Sequence, residues 1–281
     1  MNRLAFSTLP CEGWTLEEMI AIAKSSGYSG IELRVGEAWA ISTEMTALKQ
    51  SEAYQMLHEA GVTVTNLGSS VCFTGSDADE QQLELFKKTV RLAAVLRTKA
   101  IRVFLGYFNQ RRDIIMPEVP FHVVSARIKQ ACQYASAYGI QVWIETHNEY
   151  ATARSLRQLL DDVEMENCAV IYDIIHPLEE GERPEDTLAL LGSDCAHVHI
   201  KDGTPSADPL QIDWTYTRLG EGRVPIASIV HQLEQSGYSG FYSLEWETKW
   251  RVELQRPDMG PERVLPEYVA YMNQVIQSRT K

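Results

Sequence analysis

Glu145, Asp173, His199 and Glu245 each lie at or near the end of a short apolar run, in phase with the polar residues around them. Alternate side chains of a strand face opposite ways. In the run 140–145, Ile140, Val142 and Ile144 share one face, while Gln141, Trp143 and Glu145 share the other. The same alternation groups Ile171 with Asp173, His197 with His199 and Lys201, and Ser243 with Glu245 and Glu247. If the apolar faces meet a layer of helices, three carboxylates and an imidazole arrive in one interior. Such carboxylates are costly to bury together without a cation. Three oxygen donors and one nitrogen suit a single divalent ion, Mn²⁺, Co²⁺, Mg²⁺ or Zn²⁺. A chain of 281 residues can bury its core without a structural metal, so a metal site here is expected to do chemistry.

Further polar side chains follow the same inward faces. Glu32 and Arg102 point inward from the second and fourth strands, and His147 and Lys201 continue the fifth and seventh. His197 is expected to fill the interior below the metal. Glu247 takes the place of Glu245 if the register of the last strand is off by two, and a one-residue error turns Glu245 outward.

The elements that must position these residues recur along the whole chain. Strands are predicted at roughly 2–7, 30–34, 62–67, 100–104, 140–145, 168–173, 195–201 and 241–247. Helices are predicted at roughly 15–26, 43–60, 77–97, 120–138, 151–164, 184–191, 225–236 and 261–278. Gly27, Gly61, Gly139, Gly192 and Gly237 follow helical stretches, where a left-handed C-terminal residue is favoured. Ser-Gly-Tyr-Ser-Gly occurs at 26–30 and again at 236–240, both times between a helix and a strand. Eight such units predict one (β/α)₈ barrel over residues 1–281, with its site at the C-terminal mouth. An open doubly wound sheet would carry a glycine-rich turn after its first strand, and Thr-Leu-Pro-Cys-Glu-Gly-Trp is not one.

The formal charge of −12, from 38 acidic and 26 basic residues, with no basic cluster, argues against nucleic acid as a partner. The five cysteines are scattered without a C-x-x-C pair, which argues against a thiolate zinc site and a disulfide framework. No run approaches the ~20 apolar residues of a membrane span, and the N-terminal apolar stretch is too short for a signal peptide. A cytoplasmic location is expected.

At four strands the sequence resembles the sugar isomerase/epimerase superfamily of xylose isomerase-like barrels. The matching segments are Ile-Glu-Thr-His-Asn (144–148), Tyr-Asp-Ile-Ile-His (172–176), His-Val-His-Ile-Lys-Asp (197–202) and Ser-Leu-Glu-Trp-Glu (243–247), with Leu-Gly-Glu-Gly-Arg-Val-Pro at 219–225. The resemblance implies that Glu145, Asp173, His199 and Glu245 bind one divalent ion, and that Glu145 and Glu245 exchange protons with a bound hydroxy-ketone. It also implies substrate contact for His176, while His147, Lys201, Arg102 and Glu32 are further substrate-side candidates from their inward strand faces. The expected activity is isomerisation or epimerisation of a small sugar, ketose or keto-inositol through an enediolate. A dehydratase or lyase would use the same intermediate. Endonuclease IV shares the barrel but needs a larger ligand set and a DNA-binding surface, which the charge opposes. A sugar-binding protein without catalysis would not need four intact ligands. A homo-oligomer is consistent with the family. Trp14, Trp39, Phe73, Phe108 and Trp250 are predicted near the mouth, either as an apolar wall for a sugar ring or as rim cover. Gly220-Glu221-Gly222 reads as an αβ turn or, less readily because of Glu221, as a phosphate loop.

Overall fold

A computed structural model describes residues 3–278. Eight parallel strands close into a barrel: β1 (Leu4–Ser7), β2 (Gly30–Arg34), β3 (Thr63–Phe73), β4 (Ala100–Leu105), β5 (Gln141–Glu145), β6 (Cys168–Asp173), β7 (Cys195–Ile200) and, after the two-stranded hairpin of β8 (Gly203–Thr204) and β9 (Thr215–Tyr216), β10 (Tyr242–Leu244). Around the ring the order is β1-β10-β7-β6-β5-β4-β3-β2. The helices are α1 (Leu16–Ser26), α2 (Ala47–Ala60), α3 (Asp79–Val95), α4 (Phe121–Ser136), α5 (Ala153–Val163), α6 (His176–Glu179), α7 (Pro184–Leu191), α8 (Ile226–Gln235) and α9 (Pro261–Gln277).

Local chemistry sets these boundaries. Thr15 starts α1 with a capping box: its hydroxyl accepts from the Glu18 N–H at 3.2 Å, and the Glu18 carboxylate accepts from the Thr15 N–H at 2.7 Å. Gly27 ends the helix at φ 88°, a conformation in which a side chain would be strained.

Two separate apolar clusters report which way each strand residue faces. Val142, Ile144, Val170, Tyr172, Val198, Ile200, Tyr242 and Leu244 belong to the large core between strands and helices. Trp143 and Ile171 belong instead to a small cluster with Ala100. The alternation expected from sequence is therefore the one the barrel adopts. The small cluster forms a floor inside the barrel, and His197 stacks on Trp143 at 5.6 Å between ring centres. Burying each Leu, Ile or Val of the outer layer contributes about 1.5–3 kcal/mol.

The departures from expectation lie at the C-terminal ends of the strands. β3 runs to Phe73 and its register against β4 shifts between Gly68 and Cys72. Phe73 is fully buried and Trp14 packs against the core, so neither joins an aromatic wall. α6 and the β8–β9 hairpin are too short to leave a periodic signal. The glycine turn at 220–222 binds an anion, but an internal one. Oδ2 of Asp202 accepts from the N–H groups of Gly220 (2.8 Å) and Gly222 (3.1 Å), and Oδ1 from those of Gly203 (2.8 Å) and Val224 (3.1 Å). A Cβ on Gly222 would stand 2.0 Å from Asp202 Oδ1, which explains the glycine. Among the described residues, no helix is long and apolar enough to cross a membrane.

Candidate metal centre

β5, β6 and β7 end or nearly end on Glu145, Asp173 and His199, and Glu245 follows β10 directly. One ligand atom from each of these four buried residues lies within 4.8 Å of the other three. His199 Nδ1 is 3.7 Å from Glu145 Oε1, 3.8 Å from Asp173 Oδ2 and 3.3 Å from Glu245 Oε2. Donor atoms about 2.1 Å from one ion stand about 3.0 Å apart at right angles and about 4.2 Å apart across it, so this spacing accepts a small divalent cation.

The imidazole is prepared for that role. His199 Nε2 lies 2.8 Å from Glu32 Oε2, while Nδ1 has no hydrogen-bond partner. Glu32 is fully buried, and although burial raises its pKa, His199 and His197 together hold it well below the usual carboxylate range. An ionised Glu32 accepts a hydrogen bond from Nε2–H and so turns Nδ1 toward the three carboxylates. Asp173 is fixed as well: its backbone N–H donates to the Thr146 hydroxyl at 2.9 Å, and its Oδ1 accepts from the Ile175 N–H at 3.1 Å. The residues thus fit a divalent ion in donor type, spacing and orientation.

Two cations share the carboxylates. Lys201 Nζ lies 2.7 Å from Asp173 Oδ2 and 2.6 Å from Glu245 Oε2, and also pairs with Glu247. Arg102 Nη1 donates to Glu145 Oε2 at 3.0 Å and to Glu245 Oε1 at 2.9 Å. Burial and the neighbouring Glu245 raise the Glu145 pKa. Burial acts the same way on Glu245, but His199 and Lys201 outweigh it and hold this carboxyl well below its usual value. Burial pulls His176 down, yet Asp173 and Glu179 outweigh it and raise its pKa to about 9; its Nδ1 is 2.7 Å from Glu179 Oε2. Burial and the adjacent His176 push His147 down to about 3, so one ring of this pair is charged and the other neutral.

A cavity of about 600 Å³ opens over the quartet, with Arg102, Glu145, His147 and Glu245 in its wall. Phe108 and Trp250 also line it, and Trp39 stacks on Trp250 at 6.4 Å. His176 opens instead onto an adjoining space of about 390 Å³ that shares His147. Lys201 is buried among its carboxylates. Glu32 lies behind His199 and His197 and lines neither space, a position for orienting a ligand rather than touching a substrate. Glu247 is not part of the quartet; it pairs with Lys201 and with Arg251, which is also 2.5 Å from Asp213. Sequence reasoning passed over Arg34, Asp213 and Arg251. Arg34 had a signal, since it is two residues past Glu32 on the same strand face. Arg251 had a weaker one, four residues past Glu247. Asp213 had none, because it comes from an irregular loop.

Comparison with known proteins places this geometry. The xylose isomerase-like TIM barrel family matches residues 20–274. The chain is 25% identical over 247 residues to a 3-dehydroshikimate dehydratase of Bacillus anthracis, covering 82% of this chain and 84% of that one. It is 23% identical over 253 residues to a fructoselysine 3-epimerase of Shigella flexneri, covering 85% and 87%. A crystal structure of D-psicose 3-epimerase in the presence of D-fructose superposes with a TM-score of 0.78 at 17% identity, covering 97% of this chain and 99% of that one.

Proposed function

Because the chain belongs to the xylose isomerase-like TIM barrel family, we propose that it is a divalent-metal-dependent isomerase or epimerase of a small sugar, ketose or keto-inositol. The observation that carries this reading is the convergence of Glu145, Asp173, His199 and Glu245, with His199 Nδ1 bare and aimed at the carboxylates. A divalent ion bound there, of the Mn²⁺, Co²⁺, Mg²⁺ or Zn²⁺ class, supplies Lewis-acid polarisation of a carbonyl and neutralises enediolate charge. Glu145 and Glu245 act as the proton-exchanging pair at the carbon beside the carbonyl. Transfer by one and return by the other inverts a centre, whereas return to the neighbouring carbon isomerises. Arg102 touches both carboxylates from the cavity wall and keeps them apart and oriented. His147 serves a substrate oxygen from the cavity wall, Lys201 holds Asp173 and Glu245, His176 is held by Glu179 beside the adjoining space, and Glu32 orients His199.

A dehydratase or lyase is the second reading, supported by the dehydratase among the relatives. Elemental analysis of the wild type, Glu245→Gln and His199→Ala is the first test. About one divalent ion per chain, lost or weakened in the variants, supports the site. Wild type that neither carries nor takes up an ion removes the reading altogether. With the ion established, turnover of ketoses and keto-inositols separates the two chemistries: inversion or isomerisation supports the first, release of water or an aglycone the second.

A further inference from the structure

Arg34 is the one guanidinium in the cavity wall with no carboxylate within 4.0 Å among the described residues. It is only 8% exposed, and it is held firmly. Nη1 donates to the carbonyls of Val35 at 3.0 Å and Gly68 at 2.8 Å, Nη2 bonds Ser70 Oγ, and the group lies 5.1 Å from the Trp39 ring centre. Burial and the nearby Arg102 lower its pKa to about 10, so it remains charged at neutral pH. Every other cation of this wall is already matched. Arg102 holds Glu145 and Glu245, Arg111 holds Asp113 and Asp208, and Arg251 holds Glu247 and Asp213. Backbone carbonyls orient a guanidinium but do not neutralise it, and a buried unpaired charge is expensive.

Arg34 lines the same cavity as Glu145 and Glu245 of the quartet. A ligand that fills this cavity therefore meets both the quartet and Arg34. We propose that the substrate carries a single carboxylate, which Arg34 holds from the wall of the same cavity, making it a small polyhydroxy keto acid rather than an uncharged ketose. The proposal rests on reading the quartet as the reacting end. One unmatched guanidinium balances one negative charge, which favours a carboxylate over a phosphate dianion, and the fork of an arginine suits a carboxylate's two oxygens.

Calorimetric binding to the metal-loaded protein tests this with 2-keto- and 5-keto-D-gluconate, D-fructose and D-fructose 6-phosphate, in wild type, Arg34→Gln and Arg34→Lys. A keto acid is expected to bind wild type at least roughly tenfold more tightly than D-fructose. That preference should collapse in Arg34→Gln and be partly kept in Arg34→Lys, with metal content unchanged in both. Equal affinity of wild type for the keto acids and D-fructose overturns the proposal, and so does a preference that survives Arg34→Gln. Tightest binding of the phosphate ester, lost in Arg34→Gln, overturns the monocarboxylate assignment. If Arg34→Gln folds poorly, the wild-type comparison decides alone. Metal content read on the same samples keeps the two readings separate. A metal-bearing protein without the preference loses only the Arg34 proposal. A metal-free protein that prefers keto acids through Arg34 loses only the metal reading.

Discussion

His199 shows how a candidate metal ligand is oriented by a residue outside the quartet. Its Nε2 is committed to Glu32 at 2.8 Å, so the ring orientation that turns Nδ1 toward the carboxylates is fixed before any metal arrives. Replacing Glu32 with Gln keeps the shape but replaces an ionised acceptor with an amide that can also donate, freeing the ring to turn. Metal affinity should fall roughly 10–100-fold, read by competition with a chromogenic chelator; unchanged affinity would assign Glu32 to packing alone. Proton linkage gives a second test of the same residue. Burial lowers the His199 pKa, but Glu245, Glu32 and Glu145 outweigh this and raise it well above 6.5, so the metal-free ring is protonated at neutral pH. Its proton must leave for the ion to bind, hence affinity should rise with pH across the neutral range. Titration calorimetry in buffers of different ionisation enthalpy should show about one proton released per ion, and buffer-independent heats would contradict this protonation state. The quartet was legible because each ligand continues the inward-facing phase of the strand it lies on or directly follows. Arg34 was overlooked although it obeys the same alternation, because a lone arginine carries no motif.

At the scale of elements, the segment between β7 and α8 is organised by one carboxylate. Asp202 gathers four backbone N–H groups from Gly203, Gly220, Gly222 and Val224, and so ties the ends of a loop that includes the β8–β9 hairpin and Asp213. Asp202→Ala leaves several buried donors unpaired and should cost about 2–4 kcal/mol in denaturant unfolding. The same variant should lower metal affinity little, since Asp202 touches none of the quartet; loss of both together would mean that the loop supports the metal ligands directly. The sequence offered Gly-Glu-Gly before a helix and two meanings for it. The glycines do make an anion-binding turn, but its anion is supplied by the chain eighteen residues upstream of Gly220, a pairing no local pattern encodes. The hairpin and α6 escaped for a related reason: strands of two residues and a helix of four are too short for periodicity, and long-range bonds fix them instead.

For the whole molecule, the eight-unit alternation was readable because every strand is apolar toward the helices, and a register slip would have turned that entire face inward. What sequence did not disclose is how the metal-free barrel tolerates its own site. Four of eight strands bring ligands to one point, yet Arg102 and Lys201 already neutralise much of the carboxylate charge. The barrel should therefore fold without metal and gain stability from it by mass action. An ion at 100 times its dissociation constant adds about 2.7 kcal/mol, a rise of about 5 °C in Tm for a chain of this size. The rise should grow with ion concentration, reverse with a chelator and be nearly absent in Glu245→Gln. Scanning calorimetry of chelated and Mn²⁺-loaded protein decides it. A chelated protein that is unfolded at room temperature would mean that the two cations do not substitute for the ion, and the site would then hold the fold together as well as serve chemistry.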